Sequence, residues 1–537
     1  MKKTIRFACA ALLCVVATTV AHAQNSTPPP CIHPQMGITS ASDDGAIRLT
    51  LIGQKQNFGG GSAETRDTDI HSPKSAHITP DGSKFYINSL EGCATVAYDF
   101  KTMEKVKTVR YDFDTQRDAH LWGQPSDFYP WKHYNNDHLN TFMGKPVEST
   151  FSHSGRYLWV PFYRRTFDIN AQDPSALAVI DTKADTIVRL METGPLPKMI
   201  RTSPDGTTIA VSHWGNNTVG LIDISSNDPM EWHHSKLLVV DYVLPLDFPL
   251  DRSVDRDQGS GYALRGTVFT PDGRYLLVGC MGGGGGIAVI DAQKQEYKGR
   301  VLGMMDNVRH LVIANGYLYL SINAGGCVQR IKLSTFMETA QKMTGKTAVL
   351  RGWETCKVGA GARTISMSPD GRYVFACCNI VSKLYVVDTQ TMKTVCNIDV
   401  DSYPVGLDVS EDGHFLILTS QGRVDRGGNC VDIYRVDYAT EPTERFCPNC
   451  GHRLDNGGFK ECPSCNVSLA YRPQDEQLNP IAEAHDLAST ADSTQNNDAK
   501  EEEQPDRVSS TWPYILGGSA VAIIAAVTIA KCHKKSV

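Results

Sequence analysis

The stretch Val268–Cys280, "VFTPDGRYLLVGC", joins two strand-like runs through a tight turn. Its Asp-Gly pair supplies the positive φ that a hairpin turn requires, and the apolar run that follows alternates like a half-buried strand. Each copy of this phrase is therefore predicted to be a β-hairpin. Seven copies are present, and their glycines are Gly82, Gly155, Gly206, Gly273, Gly316, Gly371 and Gly413.

A second strand with its own signature follows most of the copies. It ends on an acid, as in "LAVIDT" and "LYVVDT", although the fifth copy, "VQRIKL", lacks the acid. The repeats are 42 to 73 residues apart, and the shorter spacings match one propeller blade while the longer ones indicate loop insertions. The sequence therefore predicts an all-β fold, a seven-bladed β-propeller with four strands in each blade.

Ring closure can also be predicted. After the last acid-terminated strand, "DIYRVD", the chain reaches Glu441-Pro442 without another strand, so the final blade is one strand short. The run Ala46–Ile52, "AIRLTLI", lies ahead of the first repeat and has the pattern of a strand. We expect this N-terminal strand to complete the final blade, which removes an open sheet edge. The predicted propeller then spans residues 46–438.

The repeated "sPDGryl...vID" pattern of residues 46–438 resembles the YVTN-type β-propeller repeat family of bacterial envelope and surface proteins. The resemblance implies a seven-bladed disc with a central channel. It implies no single activity, because propellers serve as binding modules, lactonases and cofactor enzymes alike.

Both ends of the chain carry apolar segments. Residues 1–23 combine a basic start, an apolar run and the small-residue site Ala21-His22-Ala23, which is the pattern of a cleaved signal peptide. Residues 512–530 are uncharged and would form about 28 Å of helix, enough to cross a hydrocarbon core. The basic tail, residues 531–537, places that end in the cytoplasm. We therefore expect a single-pass membrane protein whose mass lies on the extracytoplasmic side, periplasmic or extracellular.

A metal-binding pattern follows the propeller in residues 445–470. Two CxxC knuckles, "CPNCG" and "CPSCN", supply the four ligands Cys447, Cys450, Cys462 and Cys465. This spacing predicts a zinc ribbon with a structural zinc ion, since four thiolates leave no open coordination position. So short a segment cannot bury a core of its own and needs a metal to hold it. Residues 472–511, which include Glu501-Glu502-Glu503, are predicted to be a disordered acidic linker.

Composition and cysteine usage limit the possible functions. The net charge of −6 gives no electrostatic reason to expect nucleic-acid binding. Nine cysteines precede the ribbon in the exported part of the chain, so disulfides are permitted but their pairing cannot be deduced. Because the number is odd, at least one thiol is expected to be free or to pair with another chain. For Cys280 and Cys378, which lie inside strands, we expect buried and inert thiols.

A candidate binding site comes from counting back along the repeats. The residue seven positions before each turn acid lies near the start of the innermost strand, where it would face the mouth of the channel. Cations converging there would favour an anionic ligand, such as a carboxylate, a phosphate or an acidic glycan. Alternatively, these side chains only hydrogen-bond carbonyl groups between blades. The basic residues at this position are Lys74, Lys198, Arg265 and Arg363, with Arg309 displaced from it by one residue.

Two insertions are longer than ordinary turns, at residues 114–146 and 228–261. Long aromatic-rich loops on a rigid scaffold often carry binding surfaces. The first insertion is a candidate recognition patch through His120, Trp122, Trp131, His133 and His138. Its histidines have no metal-site spacing.

Three functions remain open. The first is a membrane-anchored envelope propeller that binds a protein partner or an anionic small molecule or glycan. The second is a propeller enzyme, either a lactonase-like hydrolase or a cofactor-dependent oxidoreductase that uses the channel, and the third is a structural scaffold of an envelope complex. No GxSxG, HExxH or CxxCH motif is present. A lactonase-like site would need channel groups that converge on a metal, and the candidates are Glu148, His77, His153 and His310.

Overall fold

The structure is a computed structural model. It describes residues 33–123, 126–129, 141–165, 175–244, 259–422, 428–440, 442, 445–446 and 453–454. The predicted signal peptide, acidic linker, membrane helix and basic tail lie outside these residues, as do Cys447, Cys450, Cys462 and Cys465. Two short strands, Arg445–Phe446 and Arg453–Leu454, pair with each other on either side of the first CxxC knuckle. Among the described residues, no helix is both long and apolar enough to cross a membrane.

Seven sheets, each built on antiparallel strands, form the seven blades, so the predicted blade number is confirmed. Four blades, 1, 3, 5 and 6, have only the four expected strands, and in blade 5 a helix is inserted between the third and the fourth. From the innermost strand outwards, these strands are Pro73–Ile78, Lys84–Ser89, Ala94–Asp99 and Lys105–Arg110 in blade 1; Pro197–Thr202, Thr208–His213, Thr218–Asp223 and His233–Val239 in blade 3; Val308–Ala314, Tyr317–Ile322, Cys327–Lys332 and Glu354–Lys357 in blade 5; and Ala362–Met367, Tyr373–Cys378, Lys383–Asp388 and Lys393–Asp399 in blade 6.

The other blades carry additions. Blade 2 gains a hairpin from the first insertion, and blade 4 gains a fifth strand, which runs parallel to its neighbour. The strands are Thr150–Ser152, Tyr157–Arg165, Ser175–Asp181 and Thr186–Thr193 in blade 2, with its hairpin Asp112–Asp114 and Thr141–Pro146; and Leu264–Phe269, Tyr275–Cys280, Ile287–Asp291, Glu296–Leu302 and Thr347–Val349 in blade 4.

The N-terminal strand completes blade 7, as predicted. Ile47–Gln56 pairs antiparallel with Cys430–Tyr438, the third strand of the blade, and a short strand, Thr39–Ala41, pairs with its outer edge. The two inner strands of this blade are Pro404–Val409 and Phe415–Ser420. The first and last strands of the propeller are thus joined in one sheet, and the third strand of blade 7 is paired on both sides.

Helices are few and short. Ala119–Trp122 lies in the first insertion, and Leu333–Gln341 connects the third and fourth strands of blade 5. A 3-10 turn, Pro229–Glu231, begins the second insertion. The segment after this turn, "HHSKLLV", was expected to be loop, but it forms the outer strand of blade 3 because it pairs along the whole of Thr218–Asp223.

The hydrophobic core is divided among the interfaces between blades. In the described part of the chain, buried apolar side chains form seven clusters, and each cluster joins two adjacent blades. Between blades 6 and 7, for example, Leu49 and Leu51 of the closing strand pack with Tyr373 and Phe375. About 390 residues are more than one core normally organises, and a ring of sheets packed face to face solves that problem.

The cysteines of the described propeller residues are all free and buried. Burial raises the pKa of Cys280 to about 12, and that of Cys93 to about 11. Buried thiols with raised pKa values are poor nucleophiles. The inert behaviour expected of Cys280 and Cys378 agrees with this arrangement.

Candidate functional site

The basic residues found by counting along the repeats occupy equivalent places in the structure. In each of their blades, the pairing of the innermost strand with the second strand shifts at this residue, which is a β-bulge. Bulges redirect side chains out of the regular alternation of a strand. Blade 7 has the same bulge at Val405, and blade 2 has Val147 just before its short inner strand. The basic bulge residues are Lys74, Lys198, Arg265, Arg309 and Arg363.

Arg309 belongs to this set although its sequence position is displaced by one residue. It lies between Val308 and His310, where the pairing shifts in blade 5. The displacement arises in the turn of this hairpin. Ala314 pairs with Tyr317, so the turn consists of only two residues. In the other hairpins the turn is longer, so a count back from the glycine misses Arg309 by one.

Glu148 is the centre of this group of cations. Its Oε1 lies 3.2 Å from Nζ of Lys74 and 3.5 Å from an Nη of Arg265. These residues come from blades 1, 2 and 4, which can meet only at the axis of the ring. All three side chains are buried, with exposed fractions of 6%, 9% and 4% for Lys74, Glu148 and Arg265. In the sequence, Glu148 is a candidate only for a metal ligand, because no local pattern connects it with the basic residues.

The electrostatics of the group favour extra negative charge. Burial opposes ionisation of Glu148, but Lys74 and Arg265 outweigh burial and lower the pKa of the carboxyl to about 2. Burial and the neighbouring Arg363 lower the pKa of Arg265 to about 10. Burial lowers the pKa of Lys74 well below its usual value; Glu148 opposes this shift, and the neighbouring Arg363 and Arg265 add to it. The cations therefore repel one another around a single carboxylate.

The guanidinium groups also have unused hydrogen-bonding capacity. The Nε atoms of Arg265, Arg309 and Arg363 are buried and have no hydrogen-bond partner among the described residues. Aromatic rings lie next to the cations. Nζ of Lys198 is 3.7 Å from the ring centroid of Tyr163, and the guanidinium of Arg363 is 5.9 Å from that of Tyr403.

The backbone of the bulges is held by hydrogen bonds from the preceding blade. Ser212 Oγ donates to the carbonyl oxygen of Arg265 at 3.1 Å, and Ser321 Oγ donates to that of Arg363. In blade 1, Asn88 donates in the same way to the carbonyl of Val147 at 2.9 Å. Carbonyl groups between blades are thus satisfied by small polar side chains on the second strands. Among the described residues, the side chains of Arg265 and Arg363 donate no hydrogen bond to a carbonyl group between blades, and the alternative role in that bonding stays a prediction.

A cavity of about 190 Å³ is lined in part by Glu148. It opens towards the hairpin turns, and its lining includes Glu148, His77, Arg201, His310 and Asp408. These polar side chains come from blades 1, 2, 3, 5 and 7, so the cavity is the turn-side end of the central channel. In blades 1, 3 and 7, the residue three positions after the bulge lines the cavity, one layer of side chains further along the channel. These residues are His77, Arg201 and Asp408.

The cavity is lined by two neutral histidines beside the ionised Glu148, and its described polar groups are not gathered into a metal site. Burial lowers the pKa of His77 to about 4 and that of His310 to about 3, so both imidazoles are neutral near pH 7. Burial raises the pKa of Asp408 to about 6. The backbone N–H of Ile78, which donates a hydrogen bond to the carboxylate at 2.8 Å, acts in the opposite direction and lowers the pKa. Within the described residues, these groups do not bring three metal-ligating atoms within 4.8 Å of one another.

The other predicted functional residues are placed elsewhere. His153 is in the turn of blade 2, where its ring contacts Tyr157 and Trp232, so it does not join Glu148, His77 and His310. Trp122 is buried against Phe142 in the core between blades 1 and 2 and is not part of an exposed patch. His120 is exposed, while Trp131, His133 and His138 lie outside the described residues.

Comparison with known proteins gives distant similarities. No protein-family model matches the chain, so the resemblance to the YVTN-type family and the zinc ribbon stay predictions. The chain is 24% identical over 195 residues to Antigen Lp49 of Leptospira interrogans serogroup Icterohaemorrhagiae serovar copenhageni (strain Fiocruz L1-130), which covers 32% of this chain and 38% of that protein. The chain thus matches well under half of that relative's length.

Two solved structures are similar at low identity. Hydrazine synthase from Kuenenia stuttgartiensis has 15% identity and a TM-score of 0.48, and the match covers 71% of this chain and 99% of that chain. The β-propeller domain of Cps50 (Swd1) from Myceliophteria thermophila has 13% identity and a TM-score of 0.46, with coverage of 68% and 97%. The blade number of the present protein comes from its own strand pairings.

Proposed function

We propose that the protein is a binding module whose central channel holds an anionic ligand at the basic bulge residues. A β-propeller is generally a binding or scaffold architecture, and the specific role proposed here is supported by one observation. Lys74, Arg265, Arg309 and Arg363 lie together, and Glu148 is the one carboxylate among the described residues that forms an ion pair with any of them.

Charge balance explains why this observation favours an anion. Burying a charge without a partner costs roughly several kcal/mol of folding free energy unless the charge is neutralised or hydrogen-bonded. Four cations around one carboxylate leave an excess of positive charge in a water-poor channel. An anion drawn from solution would supply both the missing charge and the acceptors for the unpartnered Nε–H groups. The site therefore gains more from a charged ligand than from a neutral one.

The donor set also indicates the class of ligand. Guanidinium groups present parallel N–H donors that match carboxylate and phosphate oxygens two at a time. The aromatic rings of Tyr163 and Tyr403 beside Lys198 and Arg363 provide flat apolar walls. A small molecule with a carboxylate or phosphate group and a compact apolar or sugar ring fits both features.

Replacing Arg363 with glutamine is expected to weaken anion binding about 10- to 100-fold, because a charge-assisted hydrogen bond contributes about 1.5–3 kcal/mol. The fold should tolerate the change, since Ser321 bonds the backbone carbonyl of Arg363 and not its side chain. Calorimetric titration of the full-length, detergent-solubilised protein with inorganic phosphate and with succinate measures the effect.

A matched control is Arg274→Gln, which removes an exposed arginine from a hairpin turn of blade 4. This variant should bind both anions as the unaltered protein does. Equal affinities for the Arg363→Gln and Arg274→Gln variants would contradict the proposal, as would the absence of binding to the unaltered protein at millimolar anion.

We further propose that the propeller is exported and held at a membrane by residues 512–530, with the zinc ribbon and the acidic linker between the disc and the bilayer. The support is the sequence pattern of the two ends and the two matched CxxC knuckles. In cells whose outer barrier is permeabilised and whose cytoplasmic membrane is left intact, antibody should reach a peptide tag inserted at the exposed Lys101–Thr102 turn of blade 1 but not a tag at the C-terminus. Labelling of the C-terminal tag alone would reverse the proposed orientation.

A further inference from the structure

A second cluster of chemically reactive side chains lies where the ring closes, away from the basic residues of the channel. It contains Asp401, Cys430 and Asp432, whose potential ligand atoms all lie within 4.8 Å of one another. Asp401 precedes the innermost strand of blade 7, and Cys430 and Asp432 lie two residues apart on its third strand. Residues two apart on a strand point to the same face, so the thiol and the second carboxylate are directed together.

The cluster is completely buried, and its charges are poorly compensated. Asp401, Cys430 and Asp432 each have an exposed fraction of 0%. Among the described residues, the two carboxylates make one ion pair. It joins Asp401 Oδ1 to Nδ1 of His33 at 2.8 Å. No described lysine or arginine pairs with them. Two buried carboxylates next to each other are costly unless a cation or a proton is shared between them.

One oxygen in the cluster accepts no hydrogen bond from the part of the chain that the structure describes. Asp401 Oδ1 accepts hydrogen bonds from the backbone N–H groups of Ser402 and Gly428, each at 3.2 Å, but its buried Oδ2 has no hydrogen-bond partner among the described residues. On Asp432, Oδ1 accepts from Gln54 at 2.9 Å and from the Cys430 thiol at 3.3 Å. A buried carboxylate oxygen without a donor is rare in folded proteins and calls for an explanation, of which a bound ion is one.

We propose that Asp401, Cys430 and Asp432 form a binding site for a divalent transition-metal ion, with zinc as the best match, and that this ion locks the closure of the propeller. A thiolate combined with carboxylate oxygens suits zinc, which accepts sulfur and oxygen ligands in one tetrahedral site. Calcium and magnesium do not match, because they prefer sites made only of oxygen atoms. Zinc binding releases the thiol proton to solvent, and the hydrogen bond from the thiol to Asp432 is replaced by the metal–sulfur bond.

The neighbours of the cluster explain how such an ion would act on the fold. His33 lies in the N-terminal segment, is stacked on Phe58 with ring centroids 4.1 Å apart, and holds Asp401 from outside the ligand set. Gln54, on the closing strand, holds Asp432 in the same way. Outer hydrogen-bond partners of this kind orient metal ligands and increase affinity. The ion would thus connect the inner strand, the third strand and the closing N-terminal strand of blade 7.

The test is the metal content of the full-length protein, purified without chelator and compared with the isosteric variant Asp432→Asn and with Cys430→Ser. We expect each variant to contain one zinc fewer per chain than the unaltered protein, whatever the ribbon holds. The control Cys280→Ser removes a buried thiol from blade 4 and should leave the metal content unchanged. Equal zinc in the unaltered protein and in folded Asp432→Asn would overturn the proposal.

A second measurement covers the case in which the cysteine variant fails to fold. Adding zinc to chelator-treated protein should raise the midpoint of thermal unfolding by about 3 °C or more, because an ion that binds only the native state stabilises it. The Asp432→Asn variant should lose this response while a variant lacking the ribbon thiols, Cys462→Ser with Cys465→Ser, keeps it. A response that disappears only in the ribbon variant would assign the effect to the ribbon and reject the site in blade 7.

Discussion

Replacing Glu148 with glutamine should lower the free energy of unfolding by about 3–5 kcal/mol, the usual effect of removing one partner from a buried ion pair. Lys74 and Arg265 would lose their carboxylate while staying buried beside Arg309 and Arg363. The substitution conserves the shape of the side chain, so packing changes contribute little. Denaturant-induced unfolding of the full-length, solubilised protein, followed by intrinsic fluorescence, measures the loss.

The same variant distinguishes a ligand site from a purely structural ion pair. If the cations bind an anion, then inorganic phosphate at millimolar concentration should stabilise Glu148→Gln more than it stabilises the unaltered protein, since it replaces the missing negative charge. Glu296→Gln, at an exposed position on the outer part of blade 4, should change stability by less than about 0.5 kcal/mol and respond to phosphate as the unaltered protein does. A Glu148→Gln protein as stable as the unaltered one would show that the channel cations are already neutralised by other means.

Truncation of the closing strand is expected to have the second large effect. Leu49 and Leu51 are fully buried between blades 6 and 7, and replacing a buried leucine with alanine costs about 2–5 kcal/mol. The double variant should therefore lose much of the total stability of the domain, which is typically about 5–15 kcal/mol. Removing residues 33–56 altogether should leave the edge of Cys430–Tyr438 unpaired and give aggregated protein.

Arg48 provides the matched control within the same strand. It lies between two buried residues but points to solvent, so Arg48→Ala should change stability by less than about 0.5 kcal/mol. Thermal unfolding and size-exclusion chromatography of the four proteins measure the series. A soluble, monomeric protein without residues 33–56 that melts at the original temperature would contradict closure of the ring by this strand.

Much of the fold follows from local chemistry and is therefore visible in the sequence. In the turn of blade 3, the Asp205 carboxylate accepts from the Ser203 hydroxyl at 2.5 Å and from the backbone N–H of Thr207 at 3.1 Å, and Gly206 adopts a positive φ of 72°. All of these contacts lie within five residues. The same turn chemistry repeats around the ring, so the number of blades and the missing strand of blade 7 can be obtained by counting.

The additions to the blades are less predictable, since they depend on what a segment can pair with. The segment His233–Val239 has two histidines, a serine and a lysine in its first half and resembles a polar loop. It becomes a strand because the edge of Thr218–Asp223 is available to it. The helix Leu333–Gln341 likewise packs Phe336 and Ala340 into the core between blades 4 and 5. Neither contact leaves a signal in the local sequence.

The sequence by itself determined the seven hairpins, the closing strand and the basic character of the bulge position, because turn geometry and strand alternation act over a few residues. Only the tertiary structure decided which groups meet at the axis and at the seam of the ring. Glu148, Lys74 and Arg265 come from three different blades, and His33 and Asp401 lie near opposite ends of the propeller sequence. Closing a ring brings together residues whose separation along the chain carries no local pattern, so their charges are compensated, or left uncompensated, only in three dimensions.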